Sequence, residues 1–164
     1  MEHPIATGPI AAIESLPLAV AMRHELWLYP AVEIVHICGF VVLVGSIVVL
    51  DLRLLGLSAS VSARALSRHI LPWSLGALFV IIPTGLLMFV AHASDLISNR
   101  AFQVKLALIT LAGVNAAIFH TGVFQRHAQW DRDVSTPPAV KVHAAASLFI
   151  WVCVIACGRL LAYV

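Results

Sequence analysis

A chain of 164 residues that is 61% hydrophobic and 11% charged, with a mean hydropathy of +0.98, falls well short of the roughly 25% charged residues of a soluble domain and reads as an integral membrane protein. Its length leads us to expect one transmembrane domain over residues 1–164 with no appended soluble module. The net charge of +2, without a basic run or an aromatic platform, excludes nucleic-acid binding.

Met1-Glu2-His3-Pro4 has no basic segment ahead of its apolar residues, unlike a cleaved signal, so the first span is expected to be retained. From about residue 13 to 27, apolar and polar residues alternate at helical spacing, with Glu14, Arg23, His24 and Glu25 among them. This pattern predicts an amphipathic helix lying in the membrane interface, anchored by Trp27 and Tyr29. Hydropathy then places four spans at about 30–52, 70–92, 102–125 and 141–163. Pro72-Trp73 reads as the N-terminus of the second. The connections are short, so neighbouring spans run antiparallel. The expected fold is an all-α antiparallel four-helix bundle in the membrane, preceded by the interfacial helix.

The loops joining spans 1–2 and 3–4 carry Arg53, Arg64, Arg68, Arg126, Arg132 and Lys141, against Arg23, Arg100, Lys105 and Arg159 at the opposite face. Positive-inside counting puts both termini on the periplasmic side of a bacterial inner membrane. No internal repeat of the kind that builds many transporters is visible.

Ionisable groups at membrane depth are costly and mark places where something is bound or protons pass. With each apolar run centred on the midplane, the helical rise sets His36 about 9 Å, Lys105 about 12 Å and Glu33 about 13 Å toward the outer side. A Glu33–Lys105 pair would offset the burial of both charges, with His36 just beneath. His120 lies about 10 Å and His143 about 15 Å toward the other side. Asn115, close to the centre, needs a partner on another helix. Arg159 returns to the outer level. Two polar layers around an apolar middle suit a redox protein that holds haem b through imidazoles near one or each face. Neutral histidine fits that role because a carboxylate can fix its second nitrogen, here Glu33.

Pro83-Thr84-Gly85 in the second span predicts a kink that frees carbonyls. Gly39, Gly45 and Ser46 leave room on span 1 for another helix or a flat ring. Cys38, Cys153 and Cys157 all fall within spans and read as apolar fillers. No C-x-x-C-H occurs, which excludes a covalently attached c-type haem. There is neither an H-E-x-x-H metal helix nor a Ser-His-Asp set at common depth.

Tyr29-Pro30 with Glu33 and His36, Asp51-Leu52-Arg53-Leu54-Leu55-Gly56, Pro72-Trp73, Thr84-Gly85, Lys105, Asn115 and Gly158-Arg159 together resemble an uncharacterised family of small bacterial four-helix membrane proteins. More distantly, a histidine in span 1, a glycine within span 2 and a lysine early in span 3 are similar to the copper-resistance D-type membrane domain. The same layout is similar to the haem-binding J-type protoporphyrinogen oxidase. The latter resemblance implies functional roles for His36 and Lys105.

The expectation is thus a haem-b-binding electron-transfer protein with one or two haems, exchanging electrons with quinone or a periplasmic redox protein. His36, His120 and His143 are the candidate metal ligands. Glu33 orients His36, and Lys105 and Arg159 neutralise propionates or a quinone oxygen. Two alternatives are copper binding or transport, and a non-catalytic subunit of a larger respiratory or photosynthetic complex. Beyond the lipid bilayer, further copies of the chain are potential partners.

Overall fold

The computed structural model describes residues 8–122, 124, 131 and 135–163. These form seven helices in chain order: α1 (Pro9–Glu14), α2 (Pro17–His24), α3 (Leu28–Leu55), α4 (Ala63–Ala91), α5 (Ala93–Ser98), α6 (Arg100–Thr121) and α7 (Pro138–Leu160). No strand occurs among the described residues. Helices α3, α4, α6 and α7 are long and apolar enough to cross a membrane. At ~1.5 Å per residue, even the shortest spans roughly 33 Å, against a hydrocarbon core of about 30 Å. Between 11% and 22% of each span's most apolar stretch is buried within the protein, so most of its surface is left to face lipid.

The helix ends follow from local chemistry. Helix α3 stops at Gly56, whose φ of 115° is left-handed. There Gly56 N–H donates to Arg53 O and Leu57 N–H to Leu52 O, the paired bonds of a Schellman ending. Ser62 Oγ accepts the N–H of Ala65 and starts α4 well before the apolar run, so the helix is longer than hydropathy indicates. Pro72 consequently lies inside α4 and does not begin it. Asn99 Oδ1 caps α6 by accepting the N–H of Phe102, and Pro138 opens α7, where its missing N–H costs nothing.

The single interfacial helix expected over 13–27 is corrected to two short ones. Leu16 precedes Pro17 and is held extended (φ −58°, ψ 140°), because the proline ring disfavours helical geometry in the residue before it. The two pieces are clasped to the junction of α4 and α5. Arg23 donates to Ala91 O and to Glu14 O, and Glu14 Oε1 accepts both N–H and Oγ–H of Ser94.

In space, α4 packs on α3, α3 on α7 and α7 on α6. Among the described residues, α4 and α6 make at most marginal contact, so the bundle is open along that side. Because lipid tails are as apolar as the side chains, close approach rather than water exclusion must hold such helices together. A Cβ on Gly39 would come within 3.0 Å of Ile81 Cγ1, which shows how closely α3 and α4 meet. Leu43, Ala77, Ala112, Ile150, Trp151 and Val154 form the central core. A second cluster of Leu54, Ala63, Phe119, Val140 and Ala144 lies toward the end where α3 leads into α4, called the loop end below; the opposite end carries α1, α2 and the end of α7. Arg53, 2% exposed, staples the loop end by donating to the carbonyls of Ala59, Val61 and Asp131. The Asp131 carboxylate accepts from Ser62 Oγ and the N–H of Arg64.

Candidate functional site

Two polar layers flank the central core. At the end near the termini, His36 of α3 faces α4, its Nδ1 2.9 Å from Thr84 Oγ1. The Thr84 hydroxyl also lies 2.7 Å from Val80 O and 3.1 Å from Ile81 O. A hydroxyl has one hydrogen, and these carbonyls can only accept. The Thr84 proton therefore goes to the backbone, His36 Nδ1–H donates to Thr84, and Nε2 is left with its lone pair. Pro83, which lacks an N–H, and the back-bonded Thr84 lie within the unbroken helix α4, against which the ring rests. Gly85 makes the room: a Cβ there would lie 3.1 Å from His36 Cε1.

Lys105 of α6 turns toward α7. Its Nζ lies 3.8 Å from where a Cβ on Gly158 would sit, with Cys157 as a near neighbour on α7. Glu33 is exposed on α3 and makes no ion pair with Lys105; both it and Lys105 reach His36 through longer-range electrostatics. Arg159 is exposed and engages Tyr163, donating to its hydroxyl and stacking on its ring.

At the loop end, the open side of the bundle becomes a cleft of about 350 Å³ between α4 and α6, backed by α3 and α7. Its walls are largely apolar, built from side chains such as Ile47, Leu50, Leu71, Leu75 and Ile109. His120, His143 and Asn115 line it. Asn115 Nδ2 donates to the His143 carbonyl oxygen, so its Oδ1 accepts Nδ1–H from the His143 ring at 2.7 Å. The ring is fixed in one tautomer, again with Nε2 bare. The Phe119 ring packs against both histidines.

Three participants were not anticipated from the sequence. Thr84 fixes His36. Asp51 and Ser147 line the cleft, and Asp51 is 6% exposed with Oδ2 lacking a hydrogen-bond partner among the described residues. Asp51 lies on the helical stripe Leu43-Ile47-Asp51-Leu54, whose other members are in or against the cores. That spacing is the signal that could have found it.

Of the other histidines, His92 packs edge-on against Tyr29, while His24 and His69 are exposed; His3 and His127 lie outside the described residues. All three cysteines are free, Cys38 being exposed. No group of three or more His, Cys, Asp or Glu side chains that could hold a metal ion occurs among the described residues.

The model of one protein family matches residues 28–164, from the first residue of α3 onward. The chain belongs to DUF6644, a family of unknown function. No curated protein and no solved structure matches it, and no relationship to the copper-resistance D-type domain or the J-type oxidase is shown. The matched region holds both polar layers, and α1 and α2 precede it.

His36 and His143 each have Nδ1–H committed to a neighbour and Nε2 available, the arrangement that orients metal-bound histidines. The cleft volume is near the lower limit of small-molecule sites, which run from about 300 to 1,000 Å³.

Proposed function

We propose that the protein is a redox component of the membrane that binds a lipid-soluble quinone in the cleft between α4 and α6. The observation that carries this reading is the shape and lining of that cleft: apolar, open sideways toward the acyl chains, and polar at one end. A ligand entering from lipid needs no aqueous path, and its isoprenoid tail can stay among the acyl chains while the ring reaches the polar residues. Sites of this kind, mostly apolar with a few convergent polar groups, are where ligands are expected.

Electron exchange needs a second carrier, either a periplasmic redox protein or haem b. Haem b bound here would supply one-electron chemistry. His36 is the residue we assign to hold it, because Thr84 presets its tautomer and leaves Nε2 for a metal. Lys105, at the same end, would neutralise a carboxylate of the ring. A haem on His143 is the second reading, favoured by the same tautomer argument at Asn115, and it would compete with quinone for the cleft. Copper, or service as a subunit of a larger complex, would rest on ligands or partners beyond these two layers.

Trp151 lines the cleft and provides the test. Titration of the purified protein with a short-tailed benzoquinone should quench tryptophan fluorescence saturably, and Trp151→Phe should remove most of that quenching. An oxidised and dithionite-reduced optical spectrum reports haem independently. Absence of saturable quenching, with no pigment in a host able to supply haem, would overturn the reading.

A further inference from the structure

Asp51 sits about one helical turn before α3 ends at Leu55. It is 6% exposed, and no donor among the described residues reaches its Oδ2. Arg53 is close in sequence, but residues two apart on a helix do not face each other. Its guanidinium is given to the carbonyls of Ala59, Val61 and Asp131. Arg53 Nη1 is itself without a partner among the described residues, so the two side chains do not pair. The other walls bring no fixed charge. From α4 come Ser67 and Ser74, the latter bonded back to Ile70 O, while Arg64, Arg68 and His69 are exposed. From α6 come Asn115 and His120. From α7 come His143, with Nδ1–H given to Asn115, and Ser147, the polar neighbour of the carboxyl group. Lys141 lies outside the lining, and no lysine or arginine among the described residues belongs to it.

A carboxylate stripped of water with no counter-charge and an orphaned oxygen is very costly, and such a group neutralises instead. The bilayer offers no bulk water to relieve it. A metal ion would need further ligands, and no group of three or more His, Cys, Asp or Glu able to hold one occurs among the described residues. We propose that Asp51 is a proton-binding site of the cleft, a neutral carboxylic acid at neutral pH. A proton needs no space, which suits an oxygen so fully enclosed. One turn from the end of α3, the group lies close to the water beyond the loop end, with which its proton exchanges. On the other side it borders the cleft, so the proton is held beside any ligand bound there. Ionisable groups kept within a membrane domain are the usual parts of proton relays. The site does not depend on the quinone reading and stands or falls whichever ligand the cleft takes.

The test is infrared spectroscopy of the detergent-solubilised full chain at neutral pH, with and without carbon-13 in the aspartate carboxyl groups. The unaltered protein should show the carbonyl stretch of a neutral acid, shifted by the isotope and absent from Asp51→Asn. Should that variant fail to fold, dicyclohexylcarbodiimide, an apolar reagent for protonated carboxyl groups, makes the same assignment. Mass spectrometry should find Asp51 modified, and the modification should remove the band. Stability gives a second readout. Above the ordinary aspartate value of about 3.9, the unfolded chain has lost this proton and the folded chain keeps it. The folded state then binds more protons, so its stability falls as pH rises. Relative to Asp51→Asn, the folding equilibrium constant should drop by up to about tenfold per pH unit until Asp51 itself ionises. Absence of the acid band at neutral pH, or its survival in Asp51→Asn or after modification of Asp51, overturns the proposal. A band lost on adding sodium or potassium would mean that a metal cation takes the site, and overturns it equally.

Discussion

Asn115 and His143 hold each other in a single orientation across the α6–α7 contact. The amide nitrogen is used by the His143 backbone carbonyl at 3.2 Å and the amide oxygen by the ring Nδ1–H at 2.7 Å, so the amide cannot flip without losing both bonds and the ring cannot flip without losing its own. Asn115→Leu keeps the volume and removes both partners, leaving the ring N–H unsatisfied while the His143 carbonyl keeps its bond within α7. The expected loss is about 1–3 kcal/mol for the unsatisfied ring N–H, partly relieved where the ring turns toward the cleft. Thermal unfolding in detergent measures the loss. Nitrogen chemical shifts of the His143 ring, lost from the Nδ1–H pattern in the variant, check its cause.

His36 depends on α4 in two separable ways. Thr84→Val preserves shape but deletes the acceptor of Nδ1–H, and should cost about 1–3 kcal/mol. Gly85→Ala places a methyl group 3.1 Å from Cε1, so the ring must yield by a few tenths of an ångström. Gly85→Val adds branches the site has no space for and should destabilise by roughly 1–3 kcal/mol through overpacking. A ranking in which Gly85→Ala is milder than Gly85→Val, read from unfolding midpoints, supports the contact; equal effects would contradict it.

Gly158 offers a sharper contrast. A Cβ there would stand 3.8 Å from Lys105 Nζ, ordinary van der Waals contact, so Gly158→Ala should be nearly neutral at that contact. Gly158→Leu should push the ammonium out of its place against α7. Reactivity of Lys105 toward an amine-specific label, followed by mass spectrometry, should be unchanged in the first variant and raised in the second.

Much of this was legible in the residues, and what was not has identifiable causes. Long apolar runs force helices because every backbone group must be paired inside the bilayer, so the four spans follow from hydropathy. An amide near mid-membrane demands a partner, and Asn115 has one. Depth along a helix axis follows from the rise per residue, which is why His120 and His143 fall on the same side of the midplane, where both line one cleft. Depth does not give azimuth, however. Lys105 turns to Gly158 and Glu33 to the exposed face of α3, so the pair that their common level allowed does not form. Asp51 sits where a charge usually meets head groups; its core-facing register, four residues after Ile47, outweighs that position. The openness between α4 and α6 depends on how helices choose neighbours, which no local pattern records.

Arg53 should prove the strongest single fastening at the loop end. Its guanidinium reaches Val61, Ala59 and Asp131, joining the α3–α4 turn to the segment that precedes α7. Hydrogen bonds to charged groups contribute about 1.5–3 kcal/mol, so Arg53→Ala should lower stability by at least that much. Arg53→Lys retains the charge but not the planar fork and should recover only part. Denaturation in mixed detergent gives both values; full recovery by lysine would mean that charge alone matters there.

Acid should open the N-terminal clasp. Glu14 accepts two hydrogen bonds from Ser94 at 2.7 Å each; the backbone bond and then the hydroxyl bond hold its carboxyl below the usual glutamate range, against a smaller opposing effect of burial and with help from Arg23 and His92. The clasped form therefore binds fewer protons than the released form, and its stability rises with pH across the window between the two pKa values. The contribution is complete above the ordinary glutamate value of about 4.3 and fades as pH falls through the lowered one. Amide hydrogen exchange across Pro9–His24 should accelerate below that range, whereas Glu14→Gln, which keeps an acceptor oxygen but cannot ionise, should show a flatter pH response. The difference between the two proteins cancels other carboxylates, and identical pH profiles would show that α1 is held by something other than this carboxylate.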